Sequence, residues 1–244
     1  MLMTIYKRAF AVLMKKPLKL WGISLLAVLL TSVLGGLCGA AIPALALAVG
    51  MLLSTSMTVI YLKGYRGEEV EVAQLFSCFK DWNTIKRVVL GMGWMALWIF
   101  IWGLIPIVGP IFALIRAYEY RLTPYILVFE PEVPITEAIK LSAQKTKGYK
   151  LQMWLADFVF VLVVIAADLV LGLLALIPIL GILFGLAMFV LNIAVIALAP
   201  LFIGLVQAAF YEEINAVAVG YCPGCGFKLT ANVPACPNCG RPIQ

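Results

Sequence analysis

Leu104-Ile105-Pro106-Ile107-Val108-Gly109 carries no charge, and Leu176-Ile177-Pro178-Ile179-Leu180-Gly181 repeats it almost residue for residue. Each hexapeptide sits inside a long apolar run, where proline ends an incoming helix and glycine lets the chain reverse. A looser version, with Gly35, Gly36, Gly39 and Pro43, occupies residues 35–43. Between and around these uncharged turns lie clusters of lysine and arginine. Sixteen of the eighteen basic residues fall in residues 1–19, 63–87, 140–150 and the tail from 211. Lys/Arg-rich loops stay on the cytoplasmic side of a membrane, and loops without them cross. The alternation predicts three hairpins, six crossings, and both termini in the cytoplasm.

Composition agrees. The 244 residues are 64% hydrophobic and 12% charged, with a mean hydropathy of +1.06, whereas soluble domains carry about a quarter charged residues. The net charge of +6 follows the positive-inside pattern, so it argues for topology and contact with the lipid bilayer and against nucleic acid. Histidine is absent, which removes the commonest general base and metal ligand. Residues 1–19 and the apolar run after them have the outline of a signal peptide. Leu37 before Cys38 and the long basic region argue against cleavage, and a retained first span is expected.

A helix needs about 20 apolar residues to cross a hydrocarbon core roughly 30 Å thick. The candidate spans are Leu20–Gly36, Ile42–Leu62, Val88–Ile105, Ile111–Phe129, Leu151–Ile177 and Ile182–Phe210. Each hairpin is preceded by a short amphipathic stretch. Thr4–Lys16 groups Ile5, Ala9, Val12 and Leu13. Glu69–Trp82 groups Val72, Leu75, Phe76, Phe79 and Trp82, and Ile135–Lys147 groups Ala138, Ile139 and Ser142. Glu137 and Lys145 suit the ends of the third, and Gly148 suits its exit. These stretches are expected to lie in the headgroup plane as interfacial helices, or else to pack on the bundle as connectors.

The tail reads Cys222-Pro223-Gly224-Cys225-Gly226, then Cys236-Pro237-Asn238-Cys239-Gly240, with ten residues between Cys225 and Cys236. Two residues between cysteines let both thiolates reach one ion within a single tight knuckle. Four such thiolates make the closed tetrahedral site of structural zinc. Cys222, Cys225, Cys236 and Cys239 are therefore the candidate ligands of a structural Zn2+ in a small zinc ribbon. With so short a chain, metal binding supplies the folding energy. Cys38 and Cys78 read as small apolar residues.

Charges also fall within the spans: Arg116, Glu119 and Arg121 in the fourth, Asp157 and Asp168 in the fifth. Eleven residues at ~100° each bring Asp168 to within about 20° of Asp157 on one face. Arg116 and Asp168 lie at matching depths, ten residues from Pro106 and Pro178. They are expected to pair, because a lone charge at mid-membrane costs roughly 2.5–3.5 kcal/mol or more. Such a pair either fixes helix register or belongs to a path for a proton, ion or solute.

From Arg121 to Ile214 the chain resembles a bacterial family of integral membrane proteins of unknown function, described as distantly related to the membrane region of glycerophosphodiester phosphodiesterases. The matching residues are Thr123-Pro124-Tyr125-Ile126-Leu127, Ala138-Ile139-Lys140-Leu141-Ser142 with Lys147-Gly148-Tyr149-Lys150, Ala199-Pro200-Leu201, and Ala208-Ala209-Phe210-Tyr211-Glu212-Glu213. The resemblance implies a six-span, three-hairpin protein and no catalytic residues to transfer.

The expected architecture is thus an all-α polytopic protein of the bacterial inner membrane. A six-helix membrane domain occupies residues 1–214, a linker 215–220, and the zinc ribbon 221–244. The expected role is a non-enzymatic organiser or adaptor whose ribbon contacts a protein partner. The alternative is a small-solute or ion permease using Asp168, Arg116 and Asp157.

Overall fold

The structure, a computed structural model, describes residues 2–15, 17–177, 180–218 and 235–240. The chain from 2 to 218 is helical: α1 Leu2–Lys15, α2 Pro17–Ala41, α3 Pro43–Arg66, a 3₁₀ helix Val72–Phe79, α4 Trp82–Gly103, α5 Gly109–Glu119, α6 Thr123–Phe129, α7 Ile135–Lys145, α8 Lys150–Leu174 and α9 Gly181–Ala218. Among the described residues, five helices are long and apolar enough to cross a membrane: parts or all of α2, α3, α4, α8 and α9.

The segment expected as the fourth span is broken. Instead of one helix over Ile111–Phe129, α5 stops at Glu119, residues 120–122 form a turn, and α6 starts at Thr123. Pro124 is the cause. It has no N–H to give the carbonyl of Tyr120 and its ring crowds that carbonyl. Tyr120 O instead accepts from Thr123 N at 3.0 Å.

The two similar turns share a closing bond. Gly109 N–H donates to Ile105 O, and Gly181 N–H to Ile177 O, both at 2.9 Å. A Cβ on Gly109 would stand 2.8 Å from Gly103 O, and one on Gly181 2.4 Å from Ala175 O, so both positions require glycine. The first hairpin turns more sharply than its glycines suggest. Helix α2 runs through Gly35, Gly36 and Gly39 to Ala41, and Ile42 alone separates it from α3. Pro43 keeps Ile42 out of the helical region, at φ −140° and ψ 80°.

Part of each apolar stripe expected to face lipid headgroups is core. Ile5 and Ala9 of α1, Leu75 of the 3₁₀ helix and Ala138 of α7 join one buried cluster with α2, α3, α6, α8 and α9. Each of these stretches packs on the bundle through part of its apolar stripe. The 3₁₀ helix buries Leu75 and Cys78, three residues apart, as a three-residue turn demands, and leaves Val72, Phe76 and Trp82 exposed.

Helix α9 has 38 residues, about 57 Å at 1.5 Å per residue, and its last turn includes residues 215–218 of the expected linker. Its buried residues begin at Leu201. The same holds across the bundle: packing is concentrated at the ends of the spans away from the three turns.

Candidate functional site

The break between α5 and α6 collects the charges. Its freed backbone groups are satisfied by α7. Ser142 Oγ donates to Glu119 O at 2.8 Å and accepts from Leu122 N at 3.2 Å. Thr146 Oγ1 also donates to Glu119 O, at 3.1 Å. Both side chains are fully buried. Irregular backbone at membrane depth survives only where protein or a water-filled cavity supplies such partners.

Glu119, 7% exposed, accepts from Arg116 Nη1 on its own helix and from Lys150 Nζ at the start of α8, the latter at 2.6 Å. Arg116 also stacks on Trp102 of α4, with Cζ 4.9 Å from the ring centre. Beside this cluster, Asp157 accepts from Arg121 Nη1 at 2.5 Å and from Tyr118 OH at 2.9 Å. Arg121 in turn lies over the Tyr118 ring. Helix α1 closes the group: Tyr6 OH donates to Ala156 O. Burial, reinforced by the nearby Asp157 carboxylate, raises the Tyr6 phenol above its ordinary range.

The expected pair of Arg116 with Asp168 is therefore replaced by two separate arrangements. Arg116 holds Glu119. Asp168 receives a 2.9 Å hydrogen bond from Asn192 Nδ2 of α9, and Asn192 also donates to Met188 O. Asp157 and Asp168 share a face of α8 but not an environment. Matching depth is a necessary condition for pairing, and here it was not sufficient. The sequence reading passed over Lys150, Tyr118, Ser142 and Thr146. In the sequence Lys150 reads as a topological charge and as part of the Lys147-Gly148-Tyr149-Lys150 match, and nothing there points it to Glu119.

A cavity opens beside Asp157, lined by Arg121, Leu122, Met153, Asp157, Val206, Gln207 and Phe210, with room for about one water molecule. Toward the ends of the spans away from the three turns, basic side chains bind the bundle together. Arg87 of α4 donates to the carbonyls of Leu127 and Glu130 at the end of α6. Lys145 pairs with Glu130, and Arg66 with Glu212.

Of the four cysteines expected to hold zinc, Cys222 and Cys225 lie outside the described residues. Cys236 is buried, Cys239 is exposed, and residues 237–239 form a turn. Gly240 N–H donates to Cys236 O at 2.9 Å, with Gly240 at φ 69°, a conformation that favours glycine. Among the described residues no group of three or more His, Cys, Asp or Glu gathers as a metal site.

The family described as "Protein of unknown function (DUF975)" matches residues 92–218, just over half of the chain, and the chain belongs to that family. No curated protein and no solved structure matches it.

Proposed function

We propose that this DUF975 member is a non-enzymatic membrane organiser or adaptor of the bacterial inner membrane. In this reading α5 and α6 together form one discontinuous crossing, making six, and both termini face the cytoplasm. The zinc ribbon at residues 221–244 then projects on the side where Lys/Arg clusters are retained. Cys222, Cys225, Cys236 and Cys239 would hold one structural Zn2+, whose four thiolate bonds would order a module too small to have a core. The ribbon offers a protein partner a rigid surface at the end of α9.

The observation that carries this reading is the closure of the intramembrane charges. Asp157 and Glu119 each have two side-chain partners, and the space beside Asp157 holds about one water. A permease needs a site that a solute can enter and leave.

The test has two arms on the full-length protein. Zinc analysis should give one metal per chain, and Cys225→Ser should abolish stoichiometric binding and cytosolic partner crosslinking while leaving membrane insertion intact. Reconstituted vesicles should show no ion or solute flux above empty vesicles. Flux that disappears in Asp157→Asn would replace the adaptor with the permease.

A further inference from the structure

Asp168 is the anomaly of the outer half. It lies six residues before the end of α8, about 9 Å below the turn at 1.5 Å per residue, and its hydrogen-bond partner Asn192 is exposed. Among the described residues no side chain from residue 157 to 174 of α8 is buried, nor any from 181 to 200 of α9. Ile165 and Leu169, flanking Asp168, are 57% and 62% exposed. A carboxylate in this position faces hydrocarbon unless something polar covers it.

The charge that would cover it is present elsewhere in the same molecule. At the break, Arg116, Arg121 and Lys150 face Glu119 and Asp157, so three cations against two carboxylates leave one positive charge. Arg116 is the outermost of these cations. It lies seven residues after the start of α5, about 10 Å below its own turn, and its side chain is 34% exposed although it already touches Glu119. Phe112, one turn further out on α5, is 42% exposed. An excess cation and a half-buried carboxylate held by an uncharged amide stand at the same depth, each on an apolar face.

We propose that two copies of this chain pack through these outer faces, with Asp168 of each copy paired to Arg116 of the other. A two-fold axis along the membrane normal makes the two contacts equivalent and closes the assembly at a dimer. Arg116 suits this role because its fork has donors left after Glu119 is served. The pairing neutralises both excess charges at once, which neither lipid nor an uncharged helix would do.

Asp168→Asn keeps a side chain able to hydrogen-bond Asn192 and removes only the charge. In dilute liposomes, single-molecule photobleaching should show wild-type dimers. Asp168→Asn should weaken dimerisation at least tenfold, without changing the thermal unfolding of the dispersed monomer. The deciding measurement mixes Asp168→Asn with Arg116→Gln. The mixed dimer retains one Asp168–Arg116 bridge and each homodimer retains none, so mixed dimers should exceed either homodimer at least tenfold. As a check that needs no charge variant, a benzoylphenylalanine at Phe112 should crosslink to α8 near Ile165 of a heavy-isotope-labelled copy. Wild-type monomers at every dilution would overturn the proposal. So would an Asp168→Asn dimer as tight as wild type, or crosslinks only to lipid or to another protein. None of these outcomes depends on zinc or on flux, so the adaptor reading and the dimer stand or fall separately.

Discussion

Along α9, Leu201, Leu205, Ala208 and Phe210 are all but inaccessible, whereas Leu183, Leu186, Phe189 and Ile193 are each more than half exposed. Both stretches are equally apolar, and both belong to one uninterrupted helix. The same contrast divides α4, where Val88 and Gly91 are buried and none of the residues from 92 to 103 is. What separates the two halves is small residues and polar bonds. In the inner half a Cβ on Gly91 would stand 2.6 Å from Leu127, and one on Gly204 2.2 Å from the Tyr61 ring. In the outer half Gly93, Gly172 and Gly185 have nothing within 4 Å of that position. Within a bilayer apolar surface alone gives no reason for two helices to meet, because lipid tails serve as well, and close backbone approach with interhelical hydrogen bonds decides association. The inner half has both features.

The strongest way to break this comparison is to remove the carboxylate at its centre. Glu119→Leu leaves Arg116 and Lys150 facing each other without their common partner. Breaking a buried pair typically costs roughly 3–5 kcal/mol; Arg116 and Lys150 are about a third exposed, so this range is an upper bound. Thermal unfolding in mild detergent should show a large drop for Glu119→Leu and no drop for Asp168→Asn in the dispersed monomer. Equal losses would mean that the outer half contributes to monomer stability as much as the inner half does.

A sharper comparison keeps to one helix and one substitution. Gly204→Ala forces the Tyr61 ring aside, and Tyr61 is tied to Ser24 of α2 through a 2.9 Å hydrogen bond, so α2 and α3 are both disturbed. Overpacking of this kind costs about 1–3 kcal/mol. Gly185→Ala meets open space and should gain about 0.5–1 kcal/mol from better helix propensity. Opposite signs in denaturant or thermal unfolding are the expected result. A loss at Gly185 as well would show that its surface is covered within a single chain.

These differences also show what could be read from residues alone. The turns at 104–109 and 176–181 were legible because proline, glycine and the absence of charge act locally, and each closes with a glycine N–H bond to the carbonyl four residues back. The helical class and the crossing positions of α2, α3, α4, α8 and α9 followed from apolar length. The break at residues 120–122 was not legible as a break, although Pro124 was in plain view. Pro200 sits in an unbroken α9, so a proline alone does not tell the two cases apart. The difference at the break is that Ser142 of α7 and Thr146 just after it take up the carbonyl of Glu119. That is tertiary information, and so are the partners of Arg116 and Asp168.

The smallest effect concerns the N-terminal end of α4. Asp81 caps α4, its Oδ2 accepting from Thr84 N at 2.8 Å, and this stabilises the first turn by satisfying one of its unpaired N–H groups. The hydrogen bonds from Thr84, side chain first and backbone second, hold the Asp81 carboxyl below its ordinary value of 3.8. A carboxyl with a lowered folded-state pKa binds protons more readily when unfolded, so folding stability rises with pH across that interval. The contribution is fully present above the unfolded value and fades as the pH falls through the folded one. At neutral pH the wild type should be slightly more stable than Asp81→Asn, which keeps a capping oxygen but lacks the charge. Below about pH 4 the wild type loses the charged cap and Asn does not, so the two unfolding curves should converge as the pH drops. Because Asp81 is exposed, the effect should also shrink with added salt. Convergence absent at low salt would mean that α4 is held in place by Arg87 and the packed inner half alone, with no measurable part played by its cap.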